Sequence, residues 1–378
     1  MKITDVKAIP VWEGGRNFLF VKVETDEGLY GIGESGLSWK ELAVAGAVEH
    51  LKGFLLGEDP RRIEHLWQTM FRGGFFPGGR ILCAAISAID IALWDLRGKA
   101  LGVPVYDLLG GRVRDKVVCY PHNGGGTPEQ LAENCRASVE AGWKFVRWGL
   151  PTTDGDMLEP AQAVRRAIAE FEAVRAAVGP DIGLCFDVHT RLDPPDTIRL
   201  CREVERFHPF FMEDPLRAEG TFTYRQLARH VATPLAAGEQ LASKWEFREL
   251  IEEELIQYAR LDLCIVGGIS EARKIAGWCE THYIHLAPHN PLGPVSTAAC
   301  LHLDLAVPNF GVQELPRPTG TSLNEVFPVQ VEWAEGYLLP PERPGLGVEF
   351  DEEAAKAYPF REVKPPLLRR ADGSLTNW

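Results

Sequence analysis

No run of apolar residues in this chain approaches the ~18 needed to cross a bilayer, and the opening Met-Lys-Ile-Thr-Asp-Val-Lys reads as a strand rather than a signal peptide. Basic clusters are missing as well. With 40 Lys and Arg against 53 Asp and Glu, the net charge of -13 excludes the electropositive footprint that nucleic acid requires, and no Lys/Arg run suits an anionic membrane. An acidic protein can still take an acidic substrate where a metal neutralises it locally. The eight cysteines include no Cys-x-x-Cys pair and several sit inside apolar stretches, so they read as reduced core thiols of a cytoplasmic protein. Ordinary proportions of hydrophobic (45%) and charged (25%) residues exclude a disordered or fibrous chain. A length of 378 residues leaves room for a barrel of about 250 residues and a second domain.

What is present centres on residues 186–239. Asp187, Glu213 and Glu239 each close a short apolar run that reads as a strand, and they recur at equal intervals. That interval fits one strand, one helix and two loops. In a parallel barrel such strand ends lie side by side at the carboxyl face, where these barrels hold their active sites. Three hard oxygen ligands converging there describe a Mg2+ site with positions left for substrate or water. The alternative for each carboxylate is a cap on the helix that follows it.

Residues 1–33 alternate apolar and polar around the turn Asp26-Glu-Gly28, which predicts an antiparallel hairpin or meander. Helical spacing follows over 39–72 and again over 81–101, where Gly and Pro end it. From Lys116 strand-like and helix-like stretches alternate, with strands expected at 117–120, 145–148, 183–187, 210–213, 234–239, 258–262, 283–287 and 311–314. Eight strands of one rhythm is the count of a closed (β/α) barrel. The expected organisation is α/β: an α+β capping domain over 1–115, a barrel with the metal site over 116–316, and a Pro- and Gly-rich tail over 317–378 that packs back on the capping domain. Two loops, 12–16 and 72–80, are candidates for covering the site, the second because glycines flank Phe75 and Phe76.

Polar residues continue round the ring past the three carboxylates: Asp262 ends the sixth strand, His289 follows the seventh and Glu314 ends the eighth. A His beside an Asp on the neighbouring strand is a positioned general base, since the carboxylate fixes its tautomer and raises its proton affinity. His189, two residues beyond Asp187, is a second candidate, with support of the ligand strand as its other role.

Several stretches carry a resemblance over essentially the full length: Ala88-Ile-Asp-Ile-Ala-Leu-Trp-Asp-Leu-Arg-Gly-Lys, Phe186-Asp-Val-His-Thr-Arg-Leu, Phe211-Met-Glu-Asp-Pro, Ala237-Gly-Glu-Gln and Val266-Gly-Gly-Ile-Ser. The chain resembles the enolase superfamily in its mandelate racemase and muconate lactonizing enzyme branch. That resemblance implies an amino-terminal capping domain over a modified (β/α)7β TIM-type barrel binding Mg2+, where the metal stabilises the enolate formed when a base takes the proton α to a carboxylate. Asp-Val-His at 187–189 resembles the sugar-acid dehydratases acting on galactonate and mannonate. The His289 loop is similar to the galactonate type, and the tail to mannonate dehydratases, a group that Arg147 also matches. Residues 151–159 depart from the latter, which carry a longer insert with a catalytic Tyr; this loop contains none.

For a dehydratase, the Asp262/His289 pair would take the C2 proton and His189 would protonate the departing C3 hydroxyl. Glu314 is expected to hydrogen-bond a substrate carboxylate oxygen, with one of the two holding a proton. A racemase or epimerase is the nearest rival, but it needs a base on each face of C2, and Arg147 stands where that branch carries Lys, so the residues lean toward elimination unless His189 serves as the opposite base. A non-catalytic barrel is the other alternative. The ligand is expected to be a small-molecule acid sugar, with neither nucleic acid nor membrane as partner, and the protein a homo-oligomer.

Overall fold

The alternation at the start of the chain folds as a three-stranded antiparallel meander in the computed structural model, which describes residues 1–378. Its strands are β1 (Ile3–Trp12), β2 (Asn17–Thr25) and β3 (Tyr30–Ser35). The helical spacing over 39–72 resolves into two helices, α1 (Glu41–Leu55) and α2 (Ile63–Arg72), because Gly57 and Pro60 interrupt it. The long helix α3 (Arg80–Leu101) is buried on nearly every face. Its polar residues explain why a helix so apolar still carries Asp: Asp90 accepts from Ser270 N at 3.0 Å, Ser87 Oγ accepts from Gly267 N at 2.8 Å, and Asp95 accepts from both Ile32 N and Leu346 N. These buried bonds fasten the helix to the barrel, to its own sheet and to the tail, so they are joints rather than chemistry.

After the short α4 (Val105–Leu108) the barrel begins with β4 (Val117–Tyr120), α5 (Pro128–Glu140), β5 (Phe145–Gly149), α6 (Pro160–Val178), β6 (Gly183–Asp187) and α7 (Pro194–Val204). It continues with β7 (Phe211–Glu213), α8 (Tyr224–Ala228), β8 (Leu235–Ala237), α9 (Lys244–Glu252), β9 (Tyr258–Ala259), α10 (Gly268–Thr281), β10 (His285–Leu286), α11 (Pro294–Ala306) and β11 (Gln313–Glu314). Strands β5 to β10 pair in parallel in chain order, and β11 pairs in parallel with β4. Bridges His122–Arg147 and Leu286–Phe310 complete the ring. Eight strands with seven helices between them make a (β/α)7β barrel. Proline opens α5, α6, α7 and α11, where its missing N–H would be unpaired anyway.

Two expected strand ends are displaced. Asp187 and Glu213 are direct partners across β6 and β7, but Glu213 faces Ala236, so Glu239 lies beyond the end of β8. Gly238 turns the chain there at φ +131. Asp262 likewise lies past β9, which stops at Ala259. Equal spacing in sequence therefore does not mean equal height in the barrel.

Beyond residue 316 the chain does not stay with the first domain. The hairpin β12 (Trp333–Ala334) and β13 (Tyr337–Leu338) adds to β4 of the barrel. Only the middle returns to the meander, where Glu352 of α12 (Glu352–Ala355) bonds Lys7 and Lys22, and Trp12 N donates to Tyr358 O. A last hairpin, β14 (Leu368–Arg369) and β15 (Leu375–Thr376), docks on the barrel loop at Asp156 and Leu158. The reason is backbone pairing: β4 has an open edge, and the loop after β5 offers free main-chain groups. All eight cysteines are buried and unpaired, and no helix is long and apolar enough to cross a membrane.

Candidate active site

Six buried side chains plug the barrel interior: Tyr120, Cys185, Phe211, Ala236, Ala287 and Val312, with Phe145 and Tyr258 against them. Side chains in a strand return to the same face every second residue, so the residues two further on form the next layer up. Counting two from each gives His122, Arg147, Asp187, Glu213, Arg260, His289 and Glu314, leaving only Gly238 without a functional group. The sequence reading found five of these and missed His122 and Arg260. The signal that would have found them is that same period, applied to every strand rather than only to those ending in a carboxylate.

The three proposed ligands are all buried. Asp187 pairs with Arg147, whose guanidinium also lies 3.8 Å from Glu213. Asp187 is paired with Arg147 and Glu213 with Arg260 at 2.5 Å, and no three acidic or imidazole groups are gathered into a compact ligand set. Neither Asp187 nor Glu213 caps a helix: α7 starts at Pro194 and α8 at Tyr224. The donor chemistry nevertheless fits a hard divalent cation. Glu213 Oε2 is buried with no hydrogen-bond partner, as is Asp214 Oδ2 beside it. Burial pushes the Glu239 carboxyl well above the carboxylate range, and its one ionic neighbour is His289 Nε2 at 3.5 Å. Unpartnered buried anionic oxygen is what a cation would relieve.

The His289–Asp262 pair is formed, with Nδ1 to Oδ2 at 2.8 Å, and Asp262 Oδ1 accepts from Cys264 N at 2.7 Å. Gly36, just past β3, presses on this pair: a Cβ there would meet the Asp262 carboxylate at 3.0 Å and Ile265 at 2.6 Å. Burial opposes a charge on His289, but Glu239, Glu314 and Asp262 outweigh it and raise its pKa to about 9. A cation on Glu239 would withdraw the first of those influences and bring the imidazole towards the neutral form a base needs.

Glu314 is less free than expected. It accepts from Arg260 Nη2 at 2.6 Å and Asn290 N at 2.8 Å, and lies 2.6 Å from His122 Nε2. Burial works against its charge, yet Arg260, His289 and His122 hold it well below the usual carboxylate range. These partners favour the charged form of Glu314, in which it accepts hydrogen bonds rather than donating them. Arg260, wholly buried, also donates to the Ala287 and Pro288 carbonyls and so ties Glu213, Glu314 and the His289 loop into one unit.

His189 stands on the opposite side of the ring, in left-handed backbone at φ +56, and its N–H donates to Asp187 Oδ1 at 2.6 Å. One cavity of about 760 Å³ is lined by His122, Arg147, Asp187, His189, Glu239, His289 and Glu314 together. Arg16 and Arg80, from the two loops singled out in sequence, also line it. Phe75 and Phe76 do not: they are 88% and 87% exposed and stack edge to face on each other. Asp262 is reached only through His289.

Residues 13–110 match the family described as mandelate racemase/muconate lactonizing enzyme, N-terminal domain, and residues 130–354 match the enolase C-terminal domain-like family. A D-mannonate dehydratase of Caulobacter sp. is 39% identical over 404 residues, covering 100% of both chains. A D-galactonate dehydratase of Ralstonia nicotianae is 39% identical over 387 residues, covering 100% of this chain and 99% of the other. Among solved structures, an enolase from Pantoea ananatis with bound D-gluconate and Mg superposes with a TM-score of 0.94 at 33% identity, covering 100% and 99% of the two chains. A putative galactarate dehydratase from Agrobacterium radiobacter, bound to Na and L-malate, gives 0.93 at 32% identity with full coverage of both.

Proposed function

Because this chain belongs to the mandelate racemase/muconate lactonizing enzyme family of the enolase superfamily, we propose that it is a Mg2+-dependent sugar-acid dehydratase that converts an aldonate to a 2-keto-3-deoxy acid. The observation that carries the reading is one cavity with the His289–Asp262 pair on one side, His189 on the other and buried carboxylates between them. Asp187, Glu213 and Glu239 would hold the metal, the ion that the Pantoea structure contains. Bound there, Mg2+ supplies positive charge to offset the negative charge that develops on the substrate carboxylate as C2 loses its proton.

The residues divide the remaining work. His289 Nε2 takes the C2 proton, since Nδ1 is engaged by Asp262 and the imidazolium that forms is stabilised by that carboxylate. His189, as the imidazolium, gives a proton to the C3 hydroxyl as the C–O bond breaks and water leaves, and is itself left as the neutral imidazole. Arg147 binds and orients the anionic end of the substrate, and being always charged it is no second base, which favours elimination over racemisation. Glu314 acts through others, fixing His122 and Arg260. The domain limits 1–115, 116–316 and 317–378, a cytoplasmic location and a homo-oligomeric state belong to the same reading, the last checked by light scattering.

A panel of aldonates tested with and without Mg2+ decides it. At least one, galactonate, mannonate or gluconate, should give 2-keto-3-deoxy product that a chelator abolishes. No metal-dependent product from any member, or C2 inversion without water loss, would sink the dehydratase reading.

A further inference from the structure

The imidazole of His189 is held by a residue far away in the chain. Its Nδ1 lies 2.6 Å from the main-chain oxygen of Trp378. An oxygen of that kind carries no proton, so Nδ1 must be the donor, which leaves Nε2 as the nitrogen available to the cavity that His189 lines. The Trp378 ring stands edge-on to the His189 ring, with centroids 4.9 Å apart and planes at 86°. Its other neighbour is Trp39 from the first domain, also edge-on at 4.9 Å, and Arg191 lies 6.0 Å over the indole. Next to it, Asn377 Nδ2 donates to both the carbonyl and the hydroxyl oxygen of Thr190 at 3.1 Å.

These contacts fall on the most strained stretch of the site. His189 and Thr190 both have left-handed backbone, at φ +56 and +57, and Trp39 has φ +61. Non-glycine residues hold such angles only where their surroundings over-determine them. Asn377 fastens Thr190 and Trp378 fastens His189, while the hairpin of β14 and β15 anchors the segment to the loop after β5. We propose that Trp378 is a positioning residue for the proton donor: its main-chain oxygen sets the His189 tautomer, and its indole, wedged against Trp39, sets the direction of the ring.

The inference rests on the dehydratase reading for its kinetic consequence, but its structural part is measurable without turnover. In protein carrying 15N-labelled histidine, with His189→Gln to assign the signal, the neutral form of His189 should resonate as the Nδ1–H tautomer, the form that takes its second, transferable proton on Nε2. Deleting Asn377 and Trp378 should shift it to a mixture or to Nε2–H. If the deletion leaves the tautomer unchanged, the proposal is overturned whatever the enzyme catalyses. Kinetically, Trp378→Ala should slow product formation on the order of tenfold to a hundredfold while C2 hydrogen exchange in D2O changes little, because exchange needs the base and not the acid. KM should move by no more than a few-fold, and Trp378→Phe, which keeps the edge-on contact, should recover most of the rate. Equal losses of exchange and elimination would mark a merely structural role and overturn the proposal. Should no sugar acid react at all, the functional reading fails, and the tautomer measurement still decides this one.

Discussion

The two sides of the cavity are held by different means. His289 sits in a loop whose neighbours are ionic and buried: Asp262 behind it, Glu239 in front, and Arg260 tying its backbone to Glu314. Even its link to the first domain is a carboxylate, Glu34 of β3, which accepts from Gly293 N and Ser296 N at 2.7 and 2.9 Å at the start of α11. His189 is held instead by strained backbone, an aromatic wedge and a main-chain oxygen. A base must keep one proton affinity through the reaction, and fixed charges in a dry barrel set it. A donor needs above all a direction, which packing can supply.

That contrast can be broken outright by removing each imidazole. His289→Asn should cost on the order of 10²- to 10⁴-fold in product formation and abolish C2 exchange in D2O. His189→Asn should lose product by a similar factor but keep exchange, as read by proton NMR of recovered substrate. Undiminished exchange in the His289 variant, or its loss in the His189 variant, would reverse the assignment.

A smaller effect tests when the buried carboxyl that links the base side to the first domain carries charge. Burial raises the Glu34 pKa from 4.5 to about 7, against the pull of its hydrogen bonds. Between those values the folded state binds more proton than the unfolded one, so the contribution of Glu34 to stability falls as pH rises from about 4.5 and is fully lost above about 7. Denaturant unfolding at pH 5 and pH 8 should therefore show Glu34→Gln gaining on the parent protein with pH, on the order of 1–3 kcal/mol. A pH-independent difference would mean that the group is ionised throughout. The smallest effect belongs to Phe75 and Phe76. Lying outside the cavity, both replaced by Ala should leave kcat/KM across the aldonate panel within about twofold, since exposed substitutions rarely cost more. A larger change would mean that the 72–80 loop reaches the substrate when it binds.

The barrel was legible because strand and helix periods differ and proline marks helix starts, so the helix openings at Pro160 and Pro194 could be read directly. Asp187, Glu213, His189, Asp262 and His289 could be picked out because each stands at or just past the end of a short apolar run. Arg260 could not, since one buried guanidinium inside a barrel looks in sequence like any Arg near a strand. The partners of Glu314 were hidden for the same reason: they stand just past β4 and β9 and in the loop after β10, and only closure of the ring brings them together. Exposure of Phe75 and Phe76 was likewise unreadable, because glycine-flanked aromatics pack or protrude according to what lies opposite.

The pairing of β11 with β4 has a consequence for how the molecule comes into being. First and last strands of the ring meet only after nearly the whole barrel has been synthesised, so β4 must wait with an open edge. Contacts so distant along the chain cost loop-closure entropy before they return any stability, which makes closure a late and slow event and the waiting edge a site for wrong partners. Here β13 takes the other edge of β4, so that strand ends up shielded on both sides by segments translated long after it. Refolding should accordingly show Cys83, in α3 of the first domain, protected from thiol reagents well before Cys119, which lies on β4.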